Sequence, residues 1–191
     1  MSDTTFQRVQ RLLSARKRTS LEAPGATLAA VLLLLYQREG GLWVLLGRRT
    51  QELEHHKGEV SFPGGAKDPE EQDLWQTALR EAHEEMGIHP ADVTLLGELD
   101  DVYTRISGFV IHPFVATIPY PYPFRANPRE VAEVLEVPLS QLRRRTNQRE
   151  EVRWVAGEPL RRYAYAYRKR LIYGATARII QQLLELLDTR P

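Results

Sequence analysis

The sequence predicts a single domain of mixed α and β structure. At 191 residues the chain is long enough to bury one substantial core. Residues 26–36 form a near-continuous apolar run, which is typical of a buried strand. Residues 74–86 instead carry apolar side chains at helical spacing. No repeat divides residues 1–191, so we expect one domain, with residues 1–22 as an N-terminal amphipathic helix or extension.

Composition excludes several classes of protein. The 26 basic and 25 acidic residues give a net charge of +1, which provides no general attraction to nucleic acid or membranes. The absence of cysteine excludes disulfides and zinc–thiolate sites. No apolar run reaches the roughly 18 residues of a membrane span, and residues 1–20 lack the apolar centre of a secretory signal. We therefore expect a cytoplasmic protein, monomeric or homodimeric, with no nucleic-acid or membrane partner.

The N-terminal segment has two interpretations. Phe6, Val9 and Leu13 recur at helical spacing among several arginines, which favours a short amphipathic helix. A basic amphipathic segment is also typical of a mitochondrial transit peptide, so the mitochondrial matrix is the alternative location. Asp3 favours the helix, because transit peptides are poor in acidic residues.

The remaining elements follow from periodicity and turn residues. Gly40 and Gly41 are expected to form a hairpin turn, and Pro119, Pro121 and Pro123 should place a Tyr-rich segment in a surface loop. Strands are expected at residues 42–46, 59–62, 93–99, 106–118 and 130–137, with a polar loop at 48–57, a short helix at 138–142 and an amphipathic helix after residue 173.

Residues 161–170 contain three tyrosines flanked by basic residues. The period of two at Tyr163, Tyr165 and Tyr167 indicates a strand with one aromatic face. A platform for single-stranded nucleic acid is the alternative, because such platforms combine aromatic and cationic side chains. The near-zero net charge favours the strand.

Three carboxylates are concentrated on one predicted helix. Asp73 is a suitable N-cap and Gly87 a suitable C-cap for this helix. Glu81 and Glu85 lie one turn apart, with Glu84 beside them. Like charges repel, so this grouping favours a site for a hard cation such as Mg²⁺, which prefers oxygen ligands. The alternative is an ordinary solvated acidic face.

The residues around these carboxylates resemble the Nudix hydrolase box. The family pattern is Gly, five residues, Glu, seven residues, Arg-Glu, an aliphatic residue, any residue, Glu-Glu, any residue, Gly and an aliphatic residue. Residues 80–88 read Arg-Glu-Ala-His-Glu-Glu-Met-Gly-Ile and match its second half. Gly65 and Glu71 match the first half, but eight residues rather than seven separate Glu71 from Arg80.

Residues 45–65, followed by Asp68, resemble the signature of the coenzyme A diphosphatase (CoA pyrophosphatase) branch of that family. The branch also carries the longer spacer before the box arginine. The positions in agreement are Arg49, Leu53, His56, Gly58, Val60, Phe62, Pro63 and Asp68. The sequence departs from the signature at Gly47, Thr50 and Glu59, where the branch has Thr, Ser and Gln. Glu59 adds a negative charge near the expected phosphate site.

The resemblance implies an α/β fold, namely a Nudix-type α/β/α sandwich. In this fold the box helix and the C-terminal helix lie on opposite faces of a mixed β-sheet. The resemblance also implies a Mg²⁺- or Mn²⁺-dependent enzyme that hydrolyses coenzyme A, a small-molecule substrate, to 3′,5′-ADP and 4′-phosphopantetheine. Water attacks a diphosphate phosphorus in line while cations neutralise charge on the phosphate oxygens.

By the same resemblance, the box residues take the metal-binding and catalytic roles. Glu81 and Glu85 are expected to be the primary metal ligands, with the backbone carbonyl of Gly65 as an additional ligand. Glu84 is expected to be either a further ligand or the base that takes a proton from water. Glu130 is the rival base.

Arg80 is expected to pair with Glu71 and hold the box loop against the helix. The extra residue in the spacer leaves a solvated pair between Arg80 and Glu84 as the alternative.

Substrate-binding residues are expected upstream of the box. Arg48, Arg49 and Lys57 are candidates for phosphate contacts, because cationic side chains, and guanidinium groups in particular, bind phosphate. Ordinary surface charge is the alternative for each of them. His55 and His56 are candidates for a hydrogen bond to phosphate or for stabilising the loop.

Two other functions stay open from the sequence. One is a different Nudix activity, such as hydrolysis of ADP-ribose, NADH or another nucleoside diphosphate. The other is a non-catalytic nucleotide-binding regulator, which would have no need of Glu81, Glu84 and Glu85 together.

Overall fold

The described part of the computed structural model covers residues 2–52, 57–105, 107–155 and 158–189. Its helices are α1 (Ser2–Ser14), α2 (Leu74–Met86), α3 (Leu139–Leu142) and α4 (Gly174–Asp188), with 3₁₀ turns at Pro90–Asp92 and Arg145–Asn147. Its strands are β1 (Thr27–Arg38), β2 (Gly41–Arg49), β3 (Val60–Ser61), β4 (Gly64–Ala66), β5 (Thr94–Glu98), β6 (Val102–Thr104), β7 (Phe109–Thr117), β8 (Val131–Pro138), β9 (Gln148–Val155), β10 (Glu158–Tyr167) and β11 (Arg170–Ile172).

Eight of the described strands form a mixed sheet around β1. β1 pairs in parallel with β7 and antiparallel with β2 and β4. β7 also pairs with β5 and β6, and β2 also pairs with β3 and β8. The central position of β1 explains its apolar run, because a strand covered on both faces has no side that favours polar residues.

Alternate side chains of β1 enter two separate cores. Leu32 belongs to the core that contains Ala82 of α2. Leu33 and Leu35 belong to the core that contains Ile180 of α4. The box helix and the C-terminal helix therefore lie on opposite faces of the sheet, which confirms the α/β/α sandwich.

Both ends of α2 are capped by the residues identified in the sequence. Asp73 is extended, and its Oδ1 accepts a hydrogen bond from the Gln76 N–H at 2.9 Å. The Gln76 side chain in turn accepts from Gln72 N–H at 3.0 Å, one residue before the position of a standard capping box. Gly87 has φ 67° and ψ 27°, and its N–H donates to His83 O at 2.9 Å. These caps fix the helix that carries the three carboxylates.

β2 is longer than predicted. The sequence predicts a strand at residues 42–46 and a loop from residue 48, whereas β2 continues to Arg49. Arg48 lies opposite Val60 of β3 and Glu133 of β8. Pairing on both edges therefore outweighs the polar character of this segment. Arg48 and Arg49 consequently occupy strand positions, with side chains on opposite faces of the sheet.

The strand predicted at residues 106–118 is shorter in the structure, and a separate strand precedes it. β7 begins at Phe109, and β6 precedes it as a separate strand. Ile106 lies outside the described residues.

The C-terminal tyrosines belong to a second sheet. The sequence predicts one strand at 161–170, whereas β9, β10 and β11 form a three-stranded antiparallel sheet among the described residues. Tyr165 and Tyr167 are buried in the core beneath α4, and Tyr163 packs against it. The Tyr167 hydroxyl donates to Glu136 O at 3.1 Å. The aromatic face is therefore part of the core, and the stacking platform is the wrong interpretation of these tyrosines.

The N-terminal segment is helical, as one of the two interpretations predicts. Val9 and Leu13 of α1 enter the core shared with α4. Arg8 Nη2 donates to Leu187 O at 3.2 Å, which ties α1 to the last turn of α4. In the described ranges, every helix is too short or too polar to cross a membrane.

Gly47 should be required by the packing of α2 on β2. A Cβ at Gly47 would overlap the terminal methyl of Met86 and lie 3.3 Å from Val131 Cγ1. We expect Gly47→Thr, the signature residue, to lower the free energy of unfolding by about 1–3 kcal/mol in urea titrations. Gly41→Thr is the control, since its Cβ would meet nothing within 4 Å.

A double-mutant comparison with Met86 tests whether the two side chains compete for the same space. Met86→Ala should cost less in the Gly47→Thr background than in the wild type, because the same space is contested. Additive effects of the two substitutions would show that Gly47 and Met86 do not compete for that space.

Candidate active site

The candidate site lies where the mixed sheet divides. β3 pairs with β2 and β4 pairs with β1, and no pairing joins β3 to β4 among the described strands. The Glu85 carboxylate occupies this division. Its Oε2 accepts from Gly64 N–H at 3.2 Å, and its Oε1 lies 3.4 Å from Arg49 Nη1. Residues of α2, β2 and β4 thus meet at one carboxylate.

Burial gives the site carboxylates unusual proton affinity. Glu85 is only 4% exposed. Burial raises the pKa of the Glu85 carboxyl to about 8, with Arg49 opposing the rise and the charge of Glu81 adding to it. Burial also raises the pKa of Glu81, although its hydrogen bond to Arg80 lowers it. Burial and the neighbouring carboxylates therefore favour the protonated, neutral forms of Glu81 and Glu85.

Arg80 connects the helix to the box loop. Its Nε donates to Glu71 Oε1 at 2.8 Å, and its Nη1 lies 2.7 Å from Glu81 Oε1 and 3.0 Å from Glu84 Oε2. Both pairings considered from the sequence are therefore present together. Glu84 is the more exposed of these partners, at 51%. The exposed pair contributes little energy, so Glu71 and Glu81 are the contacts that fix Arg80.

Glu71 anchors the loop despite the additional spacer residue. Its Oε2 accepts from Thr77 Oγ1 at 2.6 Å and from Asp68 N–H at 2.7 Å. Burial alone would raise the pKa of Glu71, but these hydrogen bonds and Arg80 take it below its usual value. The carboxylate is thus held ionised between the loop and α2.

Gly65 lies directly beneath the Glu81 carboxylate. It pairs with Ala30 of β1, and a Cβ at Gly65 would lie 2.5 Å from Glu81 Oε1. Only a residue without a side chain leaves this space open.

The donor chemistry of the site suits a hard cation. Carboxylate and backbone carbonyl oxygens are the ligands that Mg²⁺ and Mn²⁺ prefer. In the described ranges no three acidic or imidazole groups converge as a ready-made cage. Arg80 Nη1 instead lies against both Glu81 and Glu84. The ligand types fit the cation, and the guanidinium shares two of them.

Glu130 lies near the same site, on the segment that precedes β8. Thr50 at the end of β2 donates its N–H to Glu130 O and its hydroxyl to Arg129 O, both at 2.9 Å. The Glu130 carboxylate accepts from Asn127 Nδ2 at 2.8 Å. Its charge contributes to the raised pKa values of Glu81 and Glu85. The rival carboxylate is therefore within electrostatic reach of the box.

The structure separates the two neighbouring arginines. Arg49 faces α2 and Glu85, whereas Arg48 lies on the other face, with its Nε 3.1 Å from Glu133 Oε2. Arg170 of β11 contacts the same Glu133 oxygen at 2.7 Å. Arg48 is therefore not brought together with the box carboxylates.

The other upstream candidates lie on the segment that links β2 to β3. Lys57 is exposed on a turn. His55 and His56 lie outside the described residues.

Sequence reasoning missed the partners that come from distant segments. Asn127 holds Glu130, and Tyr173, which precedes α4, contacts Glu59. Glu59 carried a signal, since it departs from the branch signature. No local pattern in the sequence relates Tyr173 to β3.

Comparison with known proteins agrees with this geometry. The profile of the NUDIX domain matches residues 26–162. The uncharacterized Nudix hydrolase NudL of Photorhabdus laumondii is 39% identical over 142 residues, covering 74% of this chain and 75% of that protein. The protein of the same name from Enterobacter sp. is 38% identical over 164 residues, covering 85% and 84%.

Solved structures show the same fold. The Nudix hydrolase RenU from M. smegmatis aligns with a TM-score of 0.59 and 24% identity, covering 88% of this chain and 98% of that one. A MutT/nudix family protein from Enterococcus faecalis aligns with a TM-score of 0.60 and 17% identity, covering 99% and 75%. The chain belongs to the Nudix hydrolase family and is a hydrolase of a nucleoside diphosphate derivative.

Proposed function

We propose that this protein hydrolyses the diphosphate of coenzyme A, giving 3′,5′-ADP and 4′-phosphopantetheine. The observation that carries the proposal is the position of Arg49. This residue of the upstream signature contacts Glu85 of the box. Its Nε is buried without a hydrogen-bond partner among the described residues. A buried, unused donor on a guanidinium is costly unless a ligand accepts from it, and phosphate is a suitable acceptor.

Nudix hydrolases in general use divalent metal ions such as Mg²⁺ or Mn²⁺. In this chain Glu81, Glu85 and the carbonyl of Gly65 would hold them, and Glu84 is a further ligand if Glu130 is the base. When bound, such ions neutralise charge that grows on the phosphate oxygens.

The chain's own groups orient and activate the attacking water. We assign Glu84 as the base, because it stands on a capped helix and is 51% exposed, so that water reaches it. Arg80 holds one of its oxygens, Oε2, at 3.0 Å. Glu130 is the rival, with its Oε1 engaged by Asn127. Arg49 binds a diphosphate oxygen and keeps the substrate beside Glu85.

A substrate panel tests the function. We expect mass spectrometry to detect 3′,5′-ADP and 4′-phosphopantetheine from coenzyme A with Mg²⁺ or Mn²⁺, with higher kcat/KM than for ADP-ribose, NADH or dephospho-coenzyme A. Preferential hydrolysis of ADP-ribose or NADH would replace the proposed substrate. No turnover of any diphosphate would favour a nucleotide-binding regulator.

Gly65→Ala should weaken metal binding while the fold is retained. The new Cβ would displace the Glu81 carboxylate, which lies 2.5 Å from its position. We expect Mn²⁺ affinity, measured by calorimetry, to fall at least about tenfold, as for other losses of ligand positioning. Gly41→Ala is the control, because a Cβ there meets nothing. If folded Gly65→Ala binds Mn²⁺ with wild-type affinity, Glu81 is not a metal ligand.

Arg49→Ala should raise KM for coenzyme A more than it lowers kcat, the pattern for lost ground-state binding. Loss of a charge-assisted contact is expected to raise KM about tenfold. Since Arg49 lies beside Glu85, KM for dephospho-coenzyme A should rise equally. The matched control is Arg48→Ala, on the other face of the same strand. A rise confined to coenzyme A would instead assign Arg49 to the 3′-phosphate.

Glu84→Gln should lower kcat at least about a hundredfold at saturating metal, the usual range for a lost general base. Mn²⁺ affinity, measured alongside, should change less than kcat. Glu130→Gln is the matched comparison and should have the smaller effect on kcat. If Glu130→Gln loses kcat with normal metal binding while Glu84→Gln loses metal binding, then Glu130 is the base.

A further inference from the structure

The segment between Pro123 and β8 is bound to the C-terminal end of α2. Arg125 N–H donates to Met86 O at 2.8 Å, and Asn127 N–H donates to Glu85 O at 2.9 Å. These two carbonyls lie in the last turn of α2, where no further helical N–H is available to them. The backbone of Asn127 is therefore fixed to the residue that carries the buried carboxylate of the site.

The Asn127 side chain extends this anchor to Glu130. Its Nδ2 donates to Glu130 Oε1 at 2.8 Å, and its Oδ1 accepts from Arg129 N–H at 3.1 Å. The Asn127 carbonyl accepts from the N–H groups of Glu130 and Val131, at 3.0 and 2.8 Å. One residue thus orders both the turn that carries Glu130 and the carboxylate itself.

The far end of the turn is anchored to the end of β2. Thr50 donates its hydroxyl to the carbonyl of Arg129 and its N–H to the carbonyl of Glu130. Thr50 is buried, and buried hydrogen bonds are stronger than those in water. Glu130 is therefore held from α2 on one side and from β2 on the other, so its position is set before a substrate binds.

The partner of Glu130 differs in charge from the partners of the box carboxylates. Arg80 and Arg49 form ion pairs with the box carboxylates. Among the described residues, the Glu130 carboxylate forms no ion pair, and the neutral amide of Asn127 is the group that holds it. An amide donor orients a carboxylate oxygen without neutralising the charge. The charge of Glu130 therefore stays available to the site.

We propose that Asn127 is a positioning residue for the hydrolytic reaction and acts through Glu130. By holding Oε1 of Glu130, it presents the charged carboxylate to the ions and the attacking water at the box. A group contributes fully to such a site only when its orientation is fixed in advance. The inference rests on the proposed function only through hydrolysis at the box, and it holds for any diphosphate substrate.

Two substitutions separate the donor of Asn127 from its role in the turn. Asn127→Asp keeps an oxygen that accepts from Arg129 N–H, and aspartate supports such a turn as asparagine does. It replaces the Nδ2 donor with an oxygen that repels Glu130. Asn127→Ala removes both donor and acceptor. We expect both variants to lower kcat about tenfold, as for other groups that orient the residues of a metal site, with KM changed less.

A double-mutant cycle tests whether Asn127 acts through Glu130. In the Glu130→Ala background, neither Asn127 variant should lower kcat further, because the carboxylate that Asn127 positions is gone. Thermal unfolding establishes which variants are folded. If Asn127→Ala is unfolded, Asn127→Asp, alone and combined with Glu130→Ala, makes the same comparison.

Asn147→Ala is the matched control. The Asn147 Nδ2 also holds a turn, by donating to Gln141 O at 2.9 Å, and this turn follows α3 rather than α2. The kcat of Asn147→Ala should equal the wild-type value.

A second measurement needs no turnover. In proton–nitrogen NMR spectra of the substrate-free protein, Mg²⁺ should shift the side-chain amide signals of Asn127, because the ion attracts the carboxylate to which that amide donates. The shift should be lost in Glu130→Ala. The side-chain amide signals of Asn147 should not respond to Mg²⁺.

Four outcomes would overturn the proposal. Wild-type kcat in folded Asn127→Asp would show that the donor is not needed. An equal loss of kcat in the wild-type and Glu130→Ala backgrounds would show that Asn127 acts independently of Glu130. An equal loss in Asn147→Ala would assign the effect to general destabilisation. Asn127 amide signals that do not respond to Mg²⁺ would separate the residue from the metal site.

The kinetic series uses the diphosphate substrate with the highest kcat/KM, and the NMR series uses no substrate. Failure to hydrolyse coenzyme A therefore overturns the proposed function alone.

Discussion

The burial of the Glu85 carboxylate at the division of the mixed sheet is the constraint on which the site depends. A carboxylate that is 4% exposed loses most of its hydration and needs partners in the protein. Gly64 N–H and the Arg49 guanidinium supply them. Gly64 belongs to β4, which pairs with β1, and Arg49 is the last residue of β2. The topology of the sheet and the electrostatics of the site are therefore one requirement.

The second requirement is to keep several carboxylates close together against their mutual repulsion. Arg80 meets it by contacting the loop through Glu71 and the helix through Glu81 and Glu84. Glu130 adds a further carboxylate whose charge acts on Glu81 and Glu85. Arg49 and Arg80 contact these carboxylates, and burial of the carboxylates close together raises the pKa values of Glu81 and Glu85. The caps at the two ends of α2 fix the helix that carries Glu81, Glu84 and Glu85.

The parts of the fold that depend on neighbouring residues were predictable from the sequence. Asp73, Gly87 and the apolar stripe between them specify α2 locally, and its observed ends match the expectation. The end of β2 was not predictable in this way, because β3 and β8 impose its conformation from distant segments. The second sheet was missed for the same reason, since the pairing of β9 with β10 is not visible in the alternation of tyrosines.

The residues of the candidate site also differ in how far local sequence could predict them. The sequence grouped Glu81, Glu84 and Glu85 because they share one helix, and the resemblance to the Nudix box supplied their roles and that of Arg80. It also associated Arg48 with Arg49, as neighbours in a loop. Strand geometry reverses that association, because consecutive residues of a strand face opposite sides. A correct strand assignment at residue 48 would have separated the two arginines without any tertiary information.

Two departures from the branch signature have partners that lie outside it. Gly47 leaves room for the methyl of Met86, so a threonine there would contest space that α2 already fills. Glu59 carries a charge that the Tyr173 hydroxyl contacts from the start of α4. In both cases the residue that differs from the signature and the residue that contacts it belong to different elements of the fold. The signature contains Gly47 and Glu59 but not their partners Met86 and Tyr173. The structural consequence depends on these partners, because Met86 fills the space beside Gly47 and Tyr173 interacts with the Glu59 carboxylate.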